Sequence, residues 1–168
     1  MSSGAATAVV IFGVSGSGKT LIGSRLAAAL DWCFVDADDL HPPANVRKMR
    51  DGTPLDDDDR WPWLDAVRER LETNLARKCP TILACSALKR SYRERLAIDA
   101  RIRFFYLDVQ RERLADRLRS RRGHFFNPVL LESQLSTLEP PGASETVDAN
   151  LPPERVVEEL RARLTARA

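Results

Sequence analysis

Near the start of the chain an apolar, β-branched run, AVVIFG (8–13), passes into VSGSGKT (14–20). An amphipathic pattern follows, with Ile22, Leu26 and Leu30 at i, i+4 and i+8. The run has the length and composition of a buried strand, and the pattern after it that of a helix. The connection reads G-x-x-x-x-G-K-T from Gly13 to Thr20. Strand, glycine-rich loop and helix in that order constrain the fold more than any other feature of the chain. Gly13, Gly16 and Gly18 let the backbone curl so that successive N–H groups, those of Val14, Ser15 and Ser17 among them, point inward at phosphate oxygens. The helix adds the positive end of its dipole. The arrangement predicts a nucleoside triphosphate site in which Lys19 reaches the β- and γ-phosphates and Thr20 ligates Mg²⁺.

The remaining elements alternate. CFVDA (33–37), TILAC (81–85), RFFYLDV (103–109) and TVDA (146–149) read as further short strands. Between them lie helical patterns at about 42–50, 60–78, 88–96, 111–122 and 128–138, and a last one at about 153–167. Alternation of this kind predicts an α/β domain with a parallel sheet of about five strands and helices on both faces. In such sheets ligands sit beyond the carboxyl ends of the strands. The loops after Gly13, Val35, Cys85 and Asp108 are therefore where chemistry is expected. We read one domain over 1–168, with a short flexible lead at 1–7 and a lid region at about 117–138.

Composition excludes several classes. The net charge of +2 gives no reason to expect a nucleic-acid partner. No apolar run approaches the roughly 20 residues of a membrane helix. Three cysteines, Cys33, Cys79 and Cys85, without a C-x-x-C spacing fit a reducing cytoplasm and argue against zinc or a disulfide framework. The D-x-x-G and N-K-x-D signatures of GTPases do not occur. Asp108 ends the FFYLD run and reads as a strand-end or turn residue. A loop of this kind so near the start of a short chain suits a small-molecule kinase using ATP.

A kinase must align an acceptor hydroxyl with the γ-phosphorus and take its proton. FVDADDLHPP (34–43) supplies the acids. Asp36 and Asp38 point the same way if the strand end is extended. Asp36 is expected to hold a magnesium-bound water and Asp38 to orient the acceptor hydroxyl. A cluster that merely ends the strand and caps the next turn is the alternative, with Asp39 as a local cap. Arg113, Arg117 and Arg121 form a stripe at i, i+4 and i+8. We assign Arg117 to the nucleotide and Arg121 to charge on the transferring phosphoryl group; a solvated helix face is the alternative.

The segments DADDLHPPANVRKMRDGTPLDDDDRWPWL, CSALKRSYRERL, RSRRGHFF and TLEPP follow the phosphate loop in order. With it they resemble the bacterial-type gluconokinases over nearly the whole chain. The resemblance implies a nucleoside-monophosphate-kinase-like fold with a small lid, ATP and Mg²⁺, D-gluconate as acceptor, 6-phosphogluconate as product, and often a homodimer. Within it, Lys89 and Arg93 are candidates for the gluconate carboxylate, and Ser86, His41 and Arg60 for the hydroxyls. His124, in the GHFF segment, joins the acceptor residues. A kinase of another small acceptor such as shikimate, and an ATP-binding regulatory module, remain the rival readings.

The run Asp56–Asp59 stands before a helical pattern. A helix N-terminus has unsatisfied N–H groups and welcomes carboxylates. Asp58 or Asp59 is the expected N-cap, with Pro62 in the first turn. Arg60 and Trp63 are expected to help build the acceptor-side wall. The family pattern leaves the position of Asp56 open.

Overall fold

The structure is a computed structural model that describes residues 7–121 and 127–166. Its sheet is parallel, in the order β2-β3-β1-β4-β5. The strands are β1 (Ala8–Phe12), β2 (Cys33–Asp36), β3 (Thr81–Cys85), β4 (Ile102–Asp108) and β5 (Thr146–Asp148). Helices α1 (Lys19–Leu30), α2 (Pro43–Arg50), α3 (Asp57–Ala76), α4 (Arg90–Leu96), α5 (Arg111–Arg119), α6 (Pro128–Thr137) and α7 (Pro153–Thr165) connect them, with a 3-10 turn at Ala37–Leu40.

β1 lies between β3 and β4, so both of its edges are paired; helices cover both faces, and all five of its residues are buried. The two-residue period of a strand divides the core. Val9 and Ile11 pack with Ile22 and Leu26 of α1 and Val156 and Leu160 of α7. Val10 and Phe12 face the opposite way, toward Trp63, Leu64 and Val67 of α3 and Tyr92 of α4. Register places Phe12 level with Cys85 and Tyr106. β1 and β3 therefore end level, β4 runs two residues further to Asp108, and the loops after them meet above the sheet.

The expected strands and helices are present, with ends shifted by a few residues. The shift that matters for the site is at α3, which starts at Asp57. Its N-cap is Asp56, where Asp58 or Asp59 was expected. The Asp56 side chain accepts from the Asp59 N–H at 2.8 Å, and Asp59 accepts from the Asp56 N–H at 3.1 Å. This reciprocal box fixes the register of the helix and contributes about 1 kcal/mol. Pro62 consequently stands inside α3, beyond the first turn, on an exposed position.

Cys33 and Cys79 form a disulfide, against the expectation drawn from their number and spacing. They are 46 residues apart in sequence, yet β2 pairs β3 in parallel, and Cys33 starts the one strand while Cys79 precedes the other. Their Cα atoms are 6.2 Å apart, within disulfide reach. Cys85 is buried and unpaired. No helix among the described residues is long and apolar enough to cross a membrane. Thiol titration of the denatured, unreduced protein should detect Cys85 alone; three reactive thiols would contradict the pairing.

Candidate active site

The phosphate loop is built as its sequence requires. Gly18, the N-cap of α1, has φ 95°, and no side chain caps the helix. The α1 N-terminus therefore presents its N–H groups and dipole without an acidic residue in the first turn. Gly16 has φ 84°, and a Cβ there would meet the Leu118 side chain at 3.0 Å and the Leu114 carbonyl at 3.3 Å. Only a glycine lets the loop pass this close to α5. The Ser17 hydroxyl is buried in the loop with no partner. Lys19 donates from Nζ to the Val14 carbonyl at 2.9 Å. Burial lowers its pKa, and the Asp38 and Asp36 carboxylates pull in the opposite direction. An ammonium held this way is poorly hydrated and already surrounded by acceptors. Burial pushes the neighbouring Cys85 thiol up to about 12, so it stays protonated.

Thr20 donates from its hydroxyl to Asp36 Oδ2 at 2.6 Å. The other carboxylate oxygen, Oδ1, accepts from the Asp38 N–H at 3.0 Å and caps the 3-10 turn. Asp36, not Asp39, is thus the local cap. β2 ends at Asp36, so Asp38 stands on the turn and not on an extended strand end. Both carboxylates nevertheless lie close enough to Lys19 to act on its proton affinity.

Two cavities flank this loop. The smaller, about 120 Å³, is lined by Ser15 and Lys19, by Asp38 and His41, and by Arg60 and Trp63 of α3. Ser86 closes it on the β3 side, and Leu130, Ser133 and Gln134 of α6 close it on another. The larger, about 420 Å³, lies on the far side of the loop, where Arg117 and Arg121 face Ala149, Leu151 and Val156. Arg117 donates to the Gly16, Ser17 and Ala149 carbonyls at 3.3, 3.4 and 3.0 Å. Arg121 is exposed at its rim. Arg113 donates to the Asn150 carbonyl at 2.7 Å, so the third member of the stripe braces the segment after β5.

The wall of the smaller cavity is held by α3. The indole N–H of Trp63 donates to the Ala37 carbonyl at 2.7 Å, in a fully buried contact. The Trp63 ring stacks on His41, centroids 4.2 Å apart. Asn45, buried, donates from Nδ2 to the Asp59 carbonyl at 2.9 Å and lies 3.3 Å from His41 Nδ1. Nδ1 is then the acceptor, and a neutral ring carries its proton on Nε2, facing the pocket. Lys48 donates to both Asp59 oxygens, at 2.7 and 2.8 Å. Asp57 receives Lys89 at 2.9 Å on each oxygen and also the Tyr92 hydroxyl. These hydrogen bonds, that from Tyr92 first, hold the Asp57 carboxyl below its usual range. The row of acids is thus a cap (Asp56), two anchors (Asp57, Asp59) and an exposed first-turn carboxylate (Asp58).

Of the expected acceptor residues, Asp38, His41, Arg60 and Ser86 come together. Lys89 and Arg93 do not line this cavity. Lys89 is held by Asp57 on an adjoining recess that shares Leu55 and Arg60 with the cavity. Arg93 lies over the Phe12 ring and donates to the carbonyls of Ala87, Leu88 and Glu139. It braces the turn after Ser86, where buried Ala87 has φ 37°. His124 lies outside the described residues. The α6 contribution was not foreseen. Leu130, Ser133 and Gln134 share the i, i+3, i+4 spacing of one helix face, which is the signal that could have shown it.

Burial lowers the His41 pKa, Asp38 opposing and Arg60 assisting. The unfolded chain therefore binds a proton at His41 before the folded one does, and this contribution to stability is lost as pH falls below about 6.5. His41→Gln should lose less thermal stability than the wild type between pH 7 and 5. Equal losses would contradict a buried neutral His41.

An AAA domain family model matches residues 9–141. The gluconokinase of Gluconobacter oxydans is 48% identical over 90% of this chain and 88% of its own length. A crystal structure of a gluconokinase from Sinorhizobium meliloti superposes with a TM-score of 0.84 at 45% identity, over 95% of this chain and 91% of that one. The shikimate kinase of Aquifex aeolicus shares the fold alone, with a TM-score of 0.55 at 20% identity over 95% of this chain and 96% of that one. On this evidence the chain belongs to the gluconokinase family.

Proposed function

We propose that the chain transfers the terminal phosphoryl group of ATP to a hydroxyl of D-gluconate, giving 6-phospho-D-gluconate and ADP. The observation that carries the acceptor is Arg60. It is 6% exposed and lines the cavity between the phosphate loop and the α3 wall. Its Nε donates to the Leu55 carbonyl at 3.3 Å and its guanidinium lies over the Tyr92 ring; its charge reaches Asp57, but that carboxylate is held by Lys89 and Tyr92, and among the described residues none forms a direct ion pair with Arg60. A buried cation with no carboxylate in direct contact is costly, and an anionic ligand relieves that cost. A sugar acid with one carboxylate fits.

The carboxylate end is assigned to Arg60, and the hydroxyls to His41 Nε2–H and Ser86. The far hydroxyl then lies at the Asp38 end of the cavity, next to Lys19. Asp38 orients it and takes its proton as its oxygen bonds the γ-phosphorus and the bridge to the β-phosphate breaks. Lys19, the loop N–H groups and the α1 dipole hold the phosphates. The larger cavity is the size for the nucleoside, with Arg117 and Arg121 at its mouth. Residues from about 117 to 138 are the part we assign to closing over ATP.

Thr20 and Asp36 are the residues that would hold Mg²⁺, Asp36 through water. The Thr20 hydroxyl donates a hydrogen bond to Asp36, which leaves its oxygen lone pairs for a hard cation. Among the described residues no cluster of three acidic, His or Cys side chains could hold a metal. That fits an ion that keeps water and is bound through phosphates. Bound there, Mg²⁺ neutralises charge on the β- and γ-phosphates. A homodimer working in the cytoplasm as a single kinase domain completes the reading, on the strength of the family resemblance.

A coupled ADP-release assay should show turnover with D-gluconate and none with shikimate or without an acceptor. Arg60→Gln should raise the gluconate KM roughly 10- to 100-fold, the scale of a lost charge-assisted contact, and leave the ATP KM unchanged. Turnover with shikimate but not gluconate, or ADP release independent of any acceptor, would overturn the reading.

A further inference from the structure

α6 is anchored by Leu131, which is buried among Val14, Leu114 and their neighbours in the core. The helix is capped by Asn127, whose side chain accepts from the Val129 N–H at 2.9 Å. From this base the next turn sends Gln134 across to the phosphate loop. Its carboxamide Oε1 accepts from the Ser15 N–H at 2.7 Å. The two residues are 119 apart in sequence, and the bond joins α6 directly to the loop. Gln134 also lines the smaller cavity, with its neighbour Ser133 and with Asp38.

The Ser15 N–H belongs to the cradle that a phosphate oxygen needs. Gln134 Oε1 therefore occupies the place of such an oxygen. Once a phosphate oxygen takes the Ser15 N–H, two acceptors would face each other. A half-turn about the terminal torsion of the glutamine replaces Oε1 with Nε2, a donor, and requires no movement of α6. We propose that Gln134 is a positioning residue of phosphoryl transfer. Its carboxamide holds the Ser15 N–H in the nucleotide-free protein, then reverses to donate to the terminal phosphate and fix it against the acceptor. This rests on ATP as donor and on the smaller cavity as the acceptor site.

The same side chain should thus oppose nucleotide entry and assist the transfer. Gln134→Met keeps length and apolar stem but neither accepts nor donates strongly. It should bind ADP as tightly as the wild type or up to several-fold tighter. Its kcat should fall at least 10-fold with both substrates saturating. Gln134→Glu keeps the acceptor and adds a charge. It should bind ADP at least 10-fold more weakly than Gln134→Met and be equally impaired in kcat. Thermal unfolding of each variant establishes that it is folded. Equal ADP affinities in the Met and Glu variants would overturn the proposal. So would a kcat within two-fold of the wild type in Gln134→Met, which would leave Gln134 as a structural partner of the loop. ADP titration needs no acceptor. A wild type inactive on gluconate that still shows the Met/Glu split would therefore contradict the acceptor assignment and not the role of Gln134.

Discussion

The functional end of this molecule is organised round one bare helix terminus. α1 begins at the centre of a parallel sheet, behind a left-handed glycine, with no side chain on its first N–H groups. Such a terminus needs negative charge. The chain brings Lys19 and the phosphate loop to the same point, and sets Asp36 and Asp38 at its edge. The carboxylates partly offset the buried ammonium while a phosphate is absent, and Gln134 satisfies one loop N–H. The site is therefore assembled before ligand arrives, which reduces the ordering that binding must cost.

The acceptor side depends on α3. Its first turn is fixed by the Asp56–Asp59 box, and the anchors then follow from helical geometry. Asp57 ties the helix to Lys89 and Tyr92 after β3, and Asp59 ties it to Lys48 of α2. One turn on, Arg60 and Trp63 reach the cavity, three residues apart and so on one face. Trp63 in turn holds the carbonyl of Ala37, next to Asp38. A run of acids that looks like a ligand cage is a set of struts for a single arginine and a single tryptophan.

The phosphate loop, the strand order's parallel character and most element positions were legible in the sequence because they are carried by local patterns. Four adjacent aspartates are equivalent as caps to a reader, and only the reciprocal box decides that Asp56 leads. Lys89 and Arg93 look like available cations in sequence. Their partners are Asp57, 32 residues away, and the Glu139 carbonyl, 46 away. Cys33 and Cys79 meet through strand pairing, and Gln134 meets Ser15 across nearly the whole chain. Each of these depends on tertiary placement that no periodicity records. The resemblance to gluconokinases named acceptor candidates that local pattern left unassigned; among them, Arg60 stands out as buried with no carboxylate among the described residues in direct contact.

The central claim is that Asp36 and Asp38, two residues apart, do different things. Turnover and gluconate affinity measured across a magnesium titration for Asp38→Asn and Asp36→Asn test it most directly. Asp38→Asn should bind ATP and gluconate and lose roughly 10²- to 10⁴-fold in kcat at every magnesium concentration, the range of general-base catalysis. Asp36→Asn should require more magnesium for half-maximal activity. Retention of more than about half of wild-type turnover by Asp38→Asn would contradict its role as base, and both carboxylates would then stand as caps of the turn.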